Sequence, residues 1–315
     1  MTGNTPALEA FSTASDGTPR TLLADTKRGE LTIQLSPADA ASFTPGDFVL
    51  LFSNKGVDTE SSPPHLKCAG EVKQITAADS TTGLLTIDDQ IFDEYTQAQS
   101  AQVVRITMLQ NITLSNFSVT TLASSSQLRA GVTHFRFVEN LQIEHLEVHD
   151  TFFAGIHVQS VRNSAISGCY IHHINDIVPI DPPNPANERN GIVVGSASQN
   201  VTISRFSHTR HSVTTGGSSG KSQNGVVRNL VVANCTSMLA DTAHFDTHQP
   251  AENVTFNGCA AIAGVPVGGF PATNVVVGFK CVAGTVPSSA VPWGVGETIT
   301  IIYNTSAPAT LVFTE

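Results

Sequence analysis

Six asparagines recur through the middle of the chain, and each opens the same kind of segment: Asn111-Ile-Thr-Leu, Asn140-Leu-Gln-Ile, Asn163-Ser-Ala-Ile, Asn200-Val-Thr-Ile, Asn229-Leu-Val-Val and Asn253-Val-Thr-Phe. Three residues after each stands Leu114, Ile143, Ile166, Ile203, Val232 or Phe256. Six after each stands Phe117, Leu146, Cys169, Phe206, Cys235 or Cys259. The asparagines are 29, 23, 37, 29 and 24 residues apart, a recurrence that marks a stacked solenoid with loops inserted in its longer coils. A strand flanked by turns, repeated once per coil, stacks in parallel register, so like residues lie about 4.8 Å apart on neighbouring rungs. The expected fold is all-β: a right-handed parallel β-helix with ladders of asparagine and of apolar side chains.

This reading absorbs several other signals. Cys169, Cys235 and Cys259 share one inward column and are expected to behave as small hydrophobes. Five cysteines cannot all pair within one chain, and no disulfide framework is expected. Asn111, Asn200, Asn253, Asn234 and Asn304 each stand in an Asn-x-Ser/Thr sequence, but three of them are ladder asparagines, so a structural role is preferred to glycosylation.

The repeat divides the chain into a β-rich N-terminal region over 1–106, a β-helix core over 107–263, and C-terminal strands over 264–315 that cap the helix or make oligomer contacts. The first region holds Leu31-Thr-Ile-Gln-Leu, Gly46-Asp-Phe-Val-Leu-Leu, Cys68-Ala-Gly-Glu-Val-Lys-Gln-Ile and Gly83-Leu-Leu-Thr-Ile, strands separated by turn residues. Two inserted loops stand out, Asp176 to Arg189 with four prolines and Gly216 to Gln223 with Lys221.

Charge narrows the partners. A formal net charge of -10 without a Lys/Arg-rich run argues against nucleic acid or an anionic membrane surface as the main partner. No secretory signal is visible at the start and no stretch spans a bilayer, so no membrane insertion is expected. A particle component released by lysis needs no signal.

Gly46-Asp-Phe-Val, Gly70-Glu-Val and Asp93-Glu-Tyr-Thr before the ladder, with Arg210-His-Ser-Val-Thr-Thr-Gly-Gly and Phe245-Asp-Thr-His within it, resemble segments of phage tailspike-like β-helix proteins of the pectate-lyase-like superfamily. The resemblance spans residues 20 to 262. It implies carbohydrate binding, usually glycosidic cleavage, a homotrimer, and a location that is extracellular or on a phage virion. Phe245-Asp-Thr-His is also similar to the Asp-Pro-His element of alginate epimerases, with Thr247 in place of proline. The chain lacks the tandem Asp-Asp and the Gly-His-Gly of polygalacturonases, so their catalytic residues have no counterparts here.

A second strand is expected after each Asn-led one: Gly155–Gln159, Gly191–Gly195, Ser212–Gly216 and His244–His248. Period-two alternation sends Ile156, Ile192, Val213 and Phe245 inward and stacks His157, Val193, Thr214 and Asp246 outward. His244, Asp246 and His248 would share this outer face, with Arg210 and His211 one rung away. Small neighbours at Gly155, Gly191, Gly195, Ser212 and Gly216 would leave an open floor for a sugar chain.

For a hydrolase, Asp246 is the first carboxylate, with Asp241 or one of Asp176, Asp181 and Glu188 as its partner. For a lyase, His211 or His248 would take the sugar proton while Arg210 or Lys221 neutralises a uronate. Asp246, His248, Arg210, His211 and Asp241 are therefore the candidate catalytic residues. His157, His244, Asn190, Glu188 and Lys221 are the candidate substrate contacts. His-x-Asp-x-His is a weak metal motif, and no metal or cofactor is expected. His134, His145, His149, His172, His173 and His208 are assigned structural roles. Tyr95, Tyr170 and Trp293 are assigned to packing.

The expected function is depolymerisation of a bacterial surface or extracellular polysaccharide. Hydrolysis is favoured because loop carboxylates can partner Asp246. A polysaccharide lyase and a noncatalytic glycan-binding fibre are the alternatives.

Overall fold

The computed structural model describes residues 8–11, 17–57, 68–120, 133–151, 153–174, 189–209, 212–215, 225–240, 245–247, 251–264, 267–269, 273–283 and 300–303. Its core is the expected right-handed parallel β-helix, and the coil is set by two left-handed backbone positions. All six ladder asparagines have positive φ, from 49° at Asn163 to 59° at Asn140. This conformation costs most L-residues about 1–2 kcal/mol, and Asn is among the few that adopt it routinely. Five residues later the chain turns again with positive φ, at Asn116, His145, Gly168, Arg205, Asn234 and Gly258.

Stacking then satisfies the asparagine amides. Asn140 Nδ2 donates to Asn111 Oδ1 at 2.7 Å, Asn200 to Asn163 at 3.0 Å, Asn229 to Asn200 at 2.9 Å and Asn253 to Asn229 at 3.2 Å. The series breaks once, where Asn163 donates instead to Glu139 Oε1 at 2.7 Å. Three of these asparagines head Asn-x-Ser/Thr sequences, and the ladder accounts for their presence.

Each coil carries three strands, one more than the sequence suggests. The Asn-led strands, such as Val138–Glu144 and Arg162–Ser167, stack in parallel register. A middle set follows the second corner: Ser118–Thr120, Glu147–Thr151, Tyr170–Ile174, Ser207–Thr209 and Thr236–Ala240. The third set forms a seven-stranded parallel sheet: Leu8–Phe11, Thr133–Arg136, Phe153–Gln159, Arg189–Gly195, Ser212–Thr215, Phe245–Thr247 and Val267–Gly269. Thr273–Ala283 pairs in parallel with Ala251–Gly264, and Thr300–Tyr303 pairs with it in turn, so the stack continues toward the C-terminus.

One face of each strand fills a continuous apolar core containing Ile143, Ile166, Ile203, Val232 and Phe256 with Leu146, Phe206, Val148, Ile171, Ile156 and Val158. Each such side chain contributes about 1.5–3 kcal/mol by leaving water. Cys169, Cys235 and Cys259 are buried in this core with free thiols, as their column implies. Phe117, at the head of the same column, departs from it and is 39% exposed.

The N-terminal region folds into a six-stranded antiparallel sheet, ordered Arg20–Thr21, Gln102–Ile106, Phe48–Gly56, Cys68–Asp79, Leu84–Ile87, Thr32–Gln34. Its own core includes Ile33, Leu51, Ile75, Leu85 and Val103. Lys73 and Glu71 are both buried within it and paired at 3.0 Å. Lys73 also donates to Gln90 O, and Glu71 accepts from the Tyr95 hydroxyl at 3.0 Å and from the backbone of Phe92 and Asp93. Tyr95 is accordingly a fully buried packing residue, as expected.

A polar ladder fastens this sheet to the helix. Glu139, Arg162, Gln199, Arg228 and Glu252 lie in register on successive rungs, each one residue before a ladder asparagine. Arg162 pairs with Asp88, Gln199 Nε2 donates to Val72 O at 2.8 Å, Arg228 pairs with Asp93 at 2.8 Å, and Glu252 pairs with Arg28. Phe48, Val72, Val104 and Met108 close the seam against Phe137 and Ala197. The N-terminal sheet is thus held along several coils of the helix.

Candidate functional site

The seven-stranded sheet carries the expected column. Register pairs His134 with His157, His157 with Val193, Val193 with Thr214, Thr214 with Asp246, and Asp246 with Gly268. The flanking positions Phe135, Ile156, Val158, Ile192 and Val194 are all buried in the core, so His134, His157 and Val193 belong to the other face of the sheet. His134, set aside in the sequence as structural, joins the head of this column. Glu9 stands in register before it.

Asp246 and His157 are three rungs apart. At about 4.8 Å per rung their backbones are about 14 Å apart, too far to act on one bond. Asn190 begins its strand in register with Ala154 and Ser212, half-buried and outside the column of His157. Glu188, Arg210, His211, Lys221, Asp241, His244 and His248 lie outside the described residues.

The floor differs from the expected open groove where it is described. The His134 and His157 rings stack with centroids 4.8 Å apart, and His134 Nε2 donates to Gln159 Oε1 at 3.2 Å. Both rings are buried, as are Gln159 and Val193. Gly155 leaves no open space either. A Cβ there would sit 2.6 Å from Ile171 Cγ2 and 2.9 Å from the Gly191 carbonyl oxygen. Its missing side chain makes room for core packing. Arg136, in register with Gln159, lies over the Phe137 ring at 4.7 Å, and burial holds its guanidinium below its ordinary pKa. Among the described residues, this end of the face therefore presents two imidazoles, an amide and a guanidinium in a half-dry setting. Of these, the half-buried Arg136 guanidinium can donate to a carboxylate or hydroxyl oxygen.

A second concentration of ionisable groups was not read from the sequence. Glu147, His149, Asp150, Tyr170, His172 and His173 cluster on the middle strands, on a different face from Asp246. Tyr170 is 41% exposed, in contrast with its expected packing role. His208 aligns with Ile171 and Ser237, both fully buried. Among the described residues no group of three or more His, Cys, Asp or Glu is arranged to hold a metal ion.

No family model matches the chain. A curated relative, the capsule K1-specific depolymerase of Klebsiella phage K64-1, is 24% identical over 260 residues, 76% of this chain and 26% of that protein. The tailspike Gp54 of Acinetobacter baumannii bacteriophage AP22, solved in complex with A. baumannii capsular saccharide, superposes with a TM-score of 0.56 at 12% identity, over 94% of this chain and 57% of that one. The tailspike gp49 of Pseudomonas phage LKA1 superposes with a TM-score of 0.52 at 13% identity, over 96% and 62%. The chain thus spans about a quarter of the curated relative and under two thirds of either solved tailspike.

Proposed function

We propose that the chain is the glycan-degrading part of a phage virion fibre, a depolymerase that cleaves glycosidic bonds of a bacterial surface or extracellular polysaccharide. The observation that carries this reading is the parallel register that puts His157 and Asp246 in one column of the seven-stranded sheet. The similarity to a capsule-specific depolymerase and the fold shared with a saccharide-bound tailspike support it.

In this account Asp246 is the carboxylate at the scissile bond, and its partner comes from Asp241 or from Asp176, Asp181 or Glu188 of the inserted loop. One carboxyl protonates the leaving oxygen, while the other activates water or attacks the sugar. His157, three rungs away, is buried against His134 and supports the sheet beneath the polymer, a correction to its expected role as a substrate contact. His244, Asn190, Glu188 and Lys221 supply the polymer contacts, with no cofactor or metal required.

β-Elimination is the second reading. It draws on the imidazoles of His134 and His157 and the guanidinium of Arg136 on the same sheet, with Arg210, His211 and His248 as the catalytic set. A base takes the sugar proton while a cation neutralises the uronate. Assembly as a homotrimer completes the proposal, and light scattering on the purified chain tests it: a monomer mass would exclude it.

The deciding experiment incubates the full chain with capsular, exopolysaccharide and cell-wall glycans, following new reducing ends together with the ultraviolet absorbance of unsaturated uronates. Reducing ends alone are expected from hydrolysis, and both signals from elimination. Tight binding of a glycan with neither signal would overturn the enzymatic reading in favour of a noncatalytic fibre.

A further inference from the structure

The cluster on the middle strands contains a hydrogen-bonded relay that the glycosidic site does not use. Ser118 Oγ lies 3.1 Å from His149 Nε2, and His149 Nδ1 lies 2.6 Å from Asp150 Oδ2. An ionised carboxylate only accepts, so Nδ1 carries the ring proton and Nε2 is left to accept from the serine hydroxyl. Nucleophile, base and orienting carboxylate thus stand in the order that activates a serine.

The backbone builds this arrangement deliberately. Neighbouring residues on a strand send their side chains to opposite faces, so His149 and Asp150 would ordinarily point apart. Asp150 instead has φ 48°, in the left-handed region, and this folds its carboxylate back beside the imidazole of the preceding residue. The next rung repeats the device: His173 has φ 52°, and its Nδ1 lies 3.0 Å from His172 Nδ1. His173 Nδ1 also stands 3.8 Å from Asp150 Oδ1.

The surroundings suit charge development on His149. Its ring stacks on His172 at 5.2 Å between centroids, and His172 Nε2 donates to Glu147 Oε1 at 3.0 Å. That hydrogen bond first, then the charges of the nearby imidazoles, hold the Glu147 carboxyl below its ordinary pKa, and the Ser118 hydroxyl faces the same carboxylate, so its one proton is shared between Glu147 and His149 Nε2. Glu147 therefore stays anionic, and an imidazolium formed at His149 would lie between two carboxylates. Ser118, Thr120, Glu147 and Tyr170 are exposed, so the relay is open to a large ligand.

We propose that Ser118, His149 and Asp150 form an acyl-transfer triad that removes O-acyl groups from saccharide hydroxyls. Ser118 Oγ bonds to the ester carbon as its proton passes to His149 Nε2. The bond from that carbon to the sugar oxygen then breaks, and His149 returns the proton to the departing hydroxyl. Water, deprotonated by His149, attacks the acyl-serine, releasing the carboxylic acid and restoring Ser118. The exposed Tyr170 ring offers a flat surface to a sugar, and the neighbouring hydroxyl and carboxylate groups pair with its hydroxyls. The choice of saccharide rests on the depolymerase reading, whereas the triad itself does not.

The test uses the full chain with p-nitrophenyl acetate, with an O-acetylated polysaccharide, and with a fluorophosphonate probe followed by peptide mass analysis. The expected result is probe attached to Ser118, acetate release from both substrates, and loss of about 100-fold in turnover in Ser118→Ala and His149→Ala. Asp246→Ala should leave ester turnover unchanged, which separates this site from the glycosidic one. Wild-type ester turnover in Ser118→Ala, or no turnover and no labelling in the parent chain, would overturn the triad. Turnover of the small ester through Ser118 without acetate release from polysaccharide would overturn the saccharide assignment alone.

Discussion

Arg228, on the fifth Asn-led strand, donates through Nη2 to Asp93 of the N-terminal sheet at 2.8 Å, although 135 residues separate them in the sequence. Its Nε donates at 2.9 Å to Glu252 on the following rung. The guanidinium is buried, so this pair joins two sheets out of contact with water.

Removing Arg228 leaves Asp93 and Glu252 short of a partner. Breaking one side of a buried pair costs about 3–5 kcal/mol. Arg228→Ala should therefore lower the urea midpoint by an amount corresponding to at least the lower figure. A loss below about 1 kcal/mol, the value of an exposed pair, would show that the ladder does not hold the sheet to the helix.

The same ladder predicts sensitivity to acid. Burial alone would raise the Glu252 pKa, but the hydrogen bonds and charges of Arg228 and Arg28 outweigh it and hold the carboxyl below 4.5. A group depressed in the folded state stabilises it above the unfolded value and loses that contribution as pH falls through the folded value. The melting temperature should drop as pH falls below about 4.5, and Glu252→Gln should flatten that drop. An unchanged slope in the variant would remove Glu252 from the acid response.

Asn200 separates two contributions of the asparagine ladder. Its amide donates to Asn163 and accepts from Asn229, while its backbone holds φ 57°. Asn200→Ala should lose both bonds and incur strain, for about 2–4 kcal/mol in all. Asn200→Gly relieves the strain alone and should recover about 1 kcal/mol. Equal losses in the two variants, read by urea denaturation, would show that φ is not what selects asparagine.

The inward cysteines should be inert in the folded protein. Burial pushes the Cys169 thiol up to about 11, and Cys68, Cys235 and Cys259 are also buried. Iodoacetamide at pH 8, about the pKa of a free thiol, should label none of these four before denaturant is added. Labelling of Cys169 in the native chain would contradict its place in the core.

Much of the helix was legible because the repeat fixes it. Asn-led strands, the apolar column through Ile143, Ile166 and Ile203, and the inward cysteines all follow from residue type at constant phase. The register of His157 with Asp246 was legible for the same reason. What escaped depends on contacts that no local pattern encodes. Arg162, Gln199 and Arg228 find Asp88, Val72 and Asp93 across long sequence separations. Gly155 reads as an open floor until Ile171 of the middle strand is found packed where its side chain would be. The middle strands are short, and one left-handed residue at Asp150 turns two unremarkable neighbours into a hydrogen-bonded pair.

The depolymerase account rests on Asp246, and one comparison tests it most directly: turnover and binding of a susceptible glycan by the parent chain, Asp246→Ala and His157→Ala. Asp246→Ala should abolish turnover while leaving glycan affinity within about threefold, because the removed carboxylate acts on the transition state. His157→Ala should leave kcat within about threefold, because the buried ring three rungs away does not reach the scissile bond. Retained turnover in Asp246→Ala would contradict the account and move the chemistry to another face of the helix.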